Sequence, residues 1–209
     1  MRKVGKNRTS GIIVRKYANS MLKELFRKSI HLCSAAVPFL LSVARIPVLC
    51  LLCAVLIFYC IAELLRLKGH SVVLVSKITE AASRKRDENR FVLGPVTLAL
   101  GILISAAVFQ PKPAAVGIYA LAFGDGLASL AGKVFGITVI PFTAGKTVAG
   151  SLTCFAAIFL SSWTVCGSTF AALIIAVMGM FIELLPLKDF DNLIIPIVLA
   201  AASQFYFHI

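Results

Sequence analysis

Residues 124–136 read GDGLASLAGKVFG. The stretch is apolar enough to sit in a bilayer, yet it carries Asp125, Ser129 and Lys133. On a helix these three lie four residues apart and share one face. Gly124, Ala128, Gly132 and Gly136 also recur every four residues and line the neighbouring face. Small side chains at that spacing let a second helix backbone approach closely. One segment thus predicts a packing seam beside a stripe of carboxylate, hydroxyl and ammonium. A charged side chain at the centre of a membrane helix costs roughly 2.5–3.5 kcal/mol on insertion scales, and such residues usually serve function. Simple solvation of Asp125 at the membrane interface is the plainer alternative.

The composition supports a membrane setting. Of 209 residues, 59% are hydrophobic and 14% charged, against about a quarter charged in ordinary soluble domains. The net charge of +12 does not favour nucleic acid as a partner, because the basic residues flank apolar runs. There they fit orientation in the bilayer and anionic headgroups. Most of the six cysteines also lie in apolar runs, where Cys acts as a small hydrophobe. The CxxC spacing of Cys50 and Cys53 has no nearby His or second Cys pair to make a metal site.

Seven spans are predicted, over 29–44, 46–65, 91–109, 114–131, 147–166, 168–187 and 193–209. The expected fold is an all-α polytopic bundle with a cytoplasmic N-terminus. Residues 1–28 form a basic amphipathic segment on the membrane surface, and residues 29–209 form the transmembrane catalytic domain. A signal peptide is the competing reading of the N-terminus, but its basic region is too long. With the N-terminus inside, nineteen of the 21 Lys/Arg fall in inner segments, and only Arg45 and Lys112 fall in outer turns. That is the asymmetry of the positive-inside rule. Residues 72–79 are too short to cross and are read as a helix extension or interfacial piece. The acids Glu63, Asp125, Glu183, Asp189 and Asp191 cluster at inner span ends, with Glu24, Glu80, Asp87 and Glu88 in inner surface segments.

Three more stretches carry chemistry. In 144-AGKTVAGS-151, Gly145 frees the backbone, Lys146 offers a point charge to phosphate, and Thr147 opens a helix whose N-terminus favours anions. Ile140 stands where a Walker A motif needs glycine, so the stretch is not a P-loop. In 183-ELLPLKDFDN-192, Glu183 lies in an apolar span, and Asp191 and Asn192 begin the last one. Carboxylates suit a hard cation that bridges to substrate phosphates. In 27-RKSIH-31, Arg27, Lys28 and His31 enter the bilayer where cations meet phosphate or headgroups. Glu63 and Arg66 read as an interfacial ion pair, and His70 and His208 have no evident partners in sequence.

These elements, in this order, resemble the polyprenol kinase family, which includes dolichol kinase, phytol kinase and CTP-dependent diacylglycerol kinases. The resemblance rests on RKSIH, Glu63-x-x-Arg66, GDGLASLAGKVFG, AGKTVAGS, Glu183 and Asp191-Asn192-x-x-x-Pro196, and it covers residues 27–196. The GDGxAxxxGxxxG block followed closely by GKTxxGS is its most specific part. It implies a kinase that moves the γ-phosphate of CTP to a membrane lipid alcohol, either diacylglycerol or a polyprenol- or phytol-type alcohol. The implied divalent cation is Mg²⁺, with Ca²⁺ as the alternative, held by Asp125 and Asp191. Lys146, Thr147 and the neighbouring backbone would bind the triphosphate. Nucleotide contacts are expected from Gly124, Gly126, Ser129, Gly132, Lys133, Gly145 and Gly150. Arg27, Lys28 and His31 would meet phosphate at the lipid surface, and Glu183 would be a metal ligand or the base. The related CTP:phosphatidate cytidylyltransferases are the alternative, although the chain lacks their usual C-terminal block. That reaction releases pyrophosphate rather than CDP. A small transporter is the rival from another class, disfavoured because the outer span halves are almost wholly apolar. The expected location is a bacterial cell membrane or an endoplasmic-reticulum-type membrane, with the site facing the cytoplasm.

Overall fold

The computed structural model describes residues 4–70, 79 and 90–208. Among these the protein is helical, and Val139 and Thr147 form an isolated β-bridge. Helix α1 (Val4–Cys33) passes through a short 3₁₀ turn (Ser34–Ala36) into α2 (Val37–Leu67). Then follow α3 (Gly94–Val108), α4 (Pro111–Tyr119), a π-helical turn (Ala120–Asp125) and α5 (Gly126–Phe135). The last helices are α6 (Val148–Cys166), α7 (Thr169–Leu184) and α8 (Asp191–His208). The stretch 72–79, except Thr79, and the acids Glu80, Asp87 and Glu88 lie outside the described residues.

Local sequence sets the helix limits. Pro lies in the first turn of α3 and of α4, where its missing N–H costs nothing. The Thr147 and Ser168 hydroxyls cap α6 and α7 by accepting from Gly150 N and Ala171 N. Gly167, in the left-handed region at φ 67°, ends α6.

Three helical segments are long and apolar enough to cross a membrane: Ala18–Leu67, Pro111–Phe135 and Val148–Cys166. Gly94–Val108, Thr169–Leu184 and Asp191–Phe207 are apolar but shorter. Ala18–Leu67 is not one straight rod. Its 50 residues would reach about 75 Å as a single helix, more than twice the ~30 Å of bilayer hydrocarbon. The backbone leaves helical geometry at Ala44 (φ −148°, ψ 74°). Beyond that break the chain returns. His31 and Tyr59 line one cavity beside Val92, whereas Arg45 donates to Ala106 O and Phe109 O at the other end of α3. The sequence placed a turn between two spans at Arg45, one residue from the break.

The interior is aliphatic at mid-height, built from Ile102, Val116, Ile118, Leu121, Ile158, Ile195 and Leu199. Glycines set the close approaches. A Cβ at Gly124 would lie 2.7 Å from Ile158 Cγ1, and one at Gly150 would lie 2.9 Å from Ala128 O. The seam predicted from residues 124–136 therefore packs α5 and the π turn onto α6. Pro196 lacks an N–H for Asn192 O, and α3 approaches that carbonyl so closely that a Cβ at Gly101 would meet it at 2.3 Å.

Polar and apolar residues are distributed inside out. Leu22, Leu25 and Phe26 of α1 are exposed, with Leu22 at 63%, while Lys28 and His31 on the same helix are 2% and 3% exposed. The boundary drawn between residues 28 and 29 falls inside α1, which runs on without a break.

Candidate functional site

Asp125 is the centre of the charged end of the bundle. The π turn delivers it, 5% exposed, to α1. Lys28 Nζ donates to Asp125 Oδ2 at 2.5 Å, and His31 Nδ1 lies 3.0 Å from the same oxygen. One turn along α5, Ser129 donates its hydroxyl to Glu24 Oε1 at 2.5 Å. Another turn along, Lys133 Nζ lies 3.2 Å from Glu24 Oε2 and donates to Ser20 O at 3.1 Å. Glu24 also pairs with Arg27 at 2.5 Å. The stripe read from sequence thus faces α1, where Glu24 joins two of its groups, Ser129 and Lys133. The sequence places Glu24 in a surface segment, on an amphipathic helix lying on the membrane. Here the apolar face meets the hydrophobic surroundings and the charged face turns in.

The loop before α6 supplies the second wall. Phe142 and Ala144 adopt positive φ (64° and 57°), as does Gly145 (92°). Ile140 N donates to Lys146 O at 2.8 Å and Val148 N to Thr138 O at 3.0 Å, which closes the loop at its base. Lys146 Nζ reaches Glu183 Oε1 at 2.6 Å and also donates to the Glu183 carbonyl. Glu183 is therefore partnered by the lysine of the GKT stretch. Its second oxygen, Oε2, is buried without a hydrogen-bond partner, as is Ser151 Oγ. A buried polar atom left alone is costly, so both point to something the cavity accepts.

These groups surround a polar cavity of about 420 Å³. Arg27, Lys28, Lys133, Lys146 and Lys188 line it, as do the carboxylates of Glu24, Asp125, Glu183 and Asp191. Ser129, Gly132, Gly145, Thr147, Gly150 and Ser151 complete the wall. Most of the residues expected to act on nucleotide therefore share one space. Gly124 and Gly126 do not line it; Gly124 packs on Ile158, and a Cβ at Gly126 would lie 3.3 Å from Leu32 Cδ2. Lys188 was not singled out in the sequence. Its left-handed backbone (φ 61°) in the turn before α8 was the local oddity that only coordinates reveal.

The expected Glu63–Arg66 pair is structural. Glu63, fully buried, accepts from Arg66 Nε and Nη2 at 2.8 Å each and from Val92 N at 2.9 Å. Arg66 also donates to Arg90 O and the Tyr59 hydroxyl to Val92 O. Together they tie the start of α3 to α2. Asp191 Oδ1 accepts from Asn192 N at 2.9 Å and opens α8 while lining the polar cavity.

The carboxylates that could hold a divalent cation are Asp125 and Asp191. Among the described residues no group of three His, Cys, Asp or Glu forms a metal cage. Mg²⁺ needs no such cage, since it keeps waters and binds one or two carboxylates together with substrate phosphates. Asp125 and Asp191 both line the cavity that a phosphate chain would share.

Comparison with known proteins followed the same direction. No family model matches the chain, and no solved structure matches it. It is similar to a probable chloroplastic phytol kinase 1 of Glycine max, 28% identical over 163 residues, 69% of this chain and 54% of that protein. It is 32% identical over 92 residues to the chloroplastic phytol kinase 1 of Arabidopsis thaliana, 43% of this chain and 30% of that protein. A probable phytol kinase 1 of Oryza sativa subsp. japonica is 25% identical over 149 residues, 62% of this chain and 47% of that protein. The chain thus spans about half or less of the length of each of these relatives, and its likeness is to kinases named for a lipid alcohol.

Proposed function

We propose that this protein is a membrane-embedded lipid-alcohol kinase that uses CTP and a divalent cation, Mg²⁺ before Ca²⁺. The observation that carries the reading is the polar cavity, where five cationic and four acidic side chains meet at one end of an apolar bundle. Similarity to phytol kinases supports the reaction class. The choice of CTP follows the resemblance of the GDGLASLAGKVFG and AGKTVAGS blocks to the polyprenol kinase family.

Phosphoryl transfer asks a protein mainly for positioning and for charge stabilisation. The alcohol oxygen forms a bond to the γ-phosphorus, the bond from that phosphorus to the β–γ bridging oxygen breaks, and CDP leaves. The hydroxyl proton passes to a carboxylate or to water. Lys146 and Lys133, which line the cavity, would hold the triphosphate, and Thr147 caps the helix that starts at the cavity wall. Glu183 holds Lys146 in place. When bound, the cation supplies charge neutralisation on the phosphate oxygens, with Asp125 and Asp191 as its carboxylates. Lys28 balances Asp125 before the nucleotide arrives. The site would face the basic, cytoplasm-like side of a multi-pass membrane protein, with anionic headgroups around the N-terminal segment.

The test is purified full-length chain in nanodiscs with γ-labelled CTP, Mg²⁺ and separate lipid alcohols: phytol, farnesol, dolichol and diacylglycerol. Label in the organic phase, with CDP formed in equal amount, is the expected result. CTP turnover only with phosphatidate, releasing pyrophosphate, would replace the reading with cytidylyl transfer. No turnover with CTP, ATP or any alcohol would remove it.

A further inference from the structure

A second cavity of about 160 Å³ lies beside the polar one. Its wall is largely apolar: Ile30 of α1, Tyr59 of α2, Val92, and Pro95 and Leu98 of α3. Its other wall is charged, with Lys28, His31, Asp125 and Asp191. Arg27, Lys28, Asp125, Lys188 and Asp191 line both cavities, whereas His31 lines only this one and Lys146 only the polar one. The two spaces therefore meet across the Lys28–Asp125 pair.

One side of this cavity is a buried charged cluster, with Lys28 and His31 both on Asp125 Oδ2, and the other is aliphatic, which is not the lining of a simple apolar packing void. The arrangement instead suits a molecule with one polar end and an apolar body. The polar end finds donors and acceptors at Lys28, His31 and Asp125, and the body rests on the aliphatic wall. We propose that this cavity is the acceptor site, taking the hydroxyl end of a single-chain lipid alcohol that enters between α1, α2 and α3. The proposal rests on the kinase reading and adds the acceptor's location. In-line transfer places the attacking and leaving oxygens on opposite sides of the moving phosphoryl group. Two adjoining cavities with a shared charged rim give the alcohol and the triphosphate separate approaches to it.

The size narrows the acceptor class. A cavity of about 150 Å³ takes one benzene molecule, so this one holds about six heavy atoms. A hydroxymethyl group with the first isoprenoid unit matches that number. A glycerol head bearing two ester arms exceeds it.

The experiment uses the full chain in nanodiscs and a farnesol-like alcohol bearing a diazirine near its hydroxyl end. After irradiation, label is mapped by peptide and competed with phytol. Gly94 also lines the cavity, and a Cβ there would have Asp189 Oδ1 as its nearest neighbour at 4.0 Å. Gly94→Leu therefore fills the cavity without a backbone clash, and Leu98→Trp is the second variant should the first not fold. The expected result is label within residues 27–31 or 92–98 or on Tyr59, all of which border the cavity, competed by phytol. Each folded variant should raise the KM for phytol about tenfold or more, with the dissociation constant for CTP–Mg²⁺ from equilibrium dialysis unchanged. Label confined to other helices, or a phytol KM unmoved in both variants, would overturn the site. If wild type transfers no phosphate to any alcohol, the kinase reading falls; phytol-competed label on the same peptides would still support an alcohol site.

Discussion

Lys28 Nζ sits 2.5 Å from Asp125 Oδ2, a bond between residues 97 apart in sequence that joins α1 to the π turn. Both side chains are almost fully buried. Removing one partner leaves an uncompensated charge, which costs about 3–5 kcal/mol, whereas removing both can be nearly neutral. Lys28→Met and Asp125→Leu should each lower the thermal midpoint in detergent, followed through Trp163 fluorescence. The double variant should recover most of that loss. It should not recover phosphoryl transfer, since Asp125 is also assigned to the metal. Simple addition of the two single losses in the double variant would show that the pair is not coupled.

Glu24 holds Arg27, Ser129 and Lys133 together. Glu24→Ala should free the two cations and leave Ser129 without its acceptor. The KM for CTP should rise about tenfold, with a smaller change in the KM for the alcohol. Glu24→Gln, which keeps an acceptor for Ser129, should fall between wild type and Ala. Steady-state kinetics with each substrate varied in turn provides the check, and equal effects on both KM values would refute a role in shaping the polar cavity.

Lys146 and Glu183 form a pair at 2.6 Å between the α6 loop and α7. If Glu183 acts by placing the lysine, Lys146→Ala should cost about a hundredfold in kcat/KM for CTP and Glu183→Gln less, with losses that do not multiply in the double variant. Independent, multiplicative losses would point instead to a separate chemical role for Glu183.

Gly150 meets α5 with no space to spare, since an added Cβ would press on Ala128 O at 2.9 Å. Overpacking of this kind typically costs about 1–3 kcal/mol. Gly150→Val should lower the thermal midpoint clearly. Gly69→Ala is a useful control, because nothing lies within 4 Å of its added Cβ and any cost there comes from φ 86° alone. Equal losses at the two positions would show that α5–α6 spacing is not limiting.

Much of the charged end could be read from the sequence. Positive-inside counting and the four-residue spacing of Asp125, Ser129 and Lys133 placed the carboxylates and cations at one end of a helical bundle, and small residues marked a packing seam without naming its partner. The pairings could not be read. Lys28 with Asp125, Ser129 with Glu24 and Lys146 with Glu183 are set by helix packing between distant segments. Periodicity identifies a charged face of α1 but not what surrounds it. Water would draw Glu24 and Arg27 outward, whereas hydrocarbon drives them in. The separation of Asp191, which borders both cavities, from Glu183, which borders one, depends on the turn at 185–190, for which the sequence offered no spacing rule. The count of seven crossings goes further than the three helical segments that are long and apolar enough by themselves.

The π turn at Ala120–Asp125 has one further consequence. Such a turn houses an extra residue inside an otherwise α-helical run, so α4 and α5 keep their mutual phase whether or not that residue is present. Trimming the turn by one residue ahead of Asp125 would leave both flanking helices facing their neighbours, with Asp125 still in phase with Ser129 and Lys133. The same trim inside α5 would rotate Lys133 by about 100°. A change of length is thus absorbed in this turn and would scramble the charged face if it fell in the helix that follows.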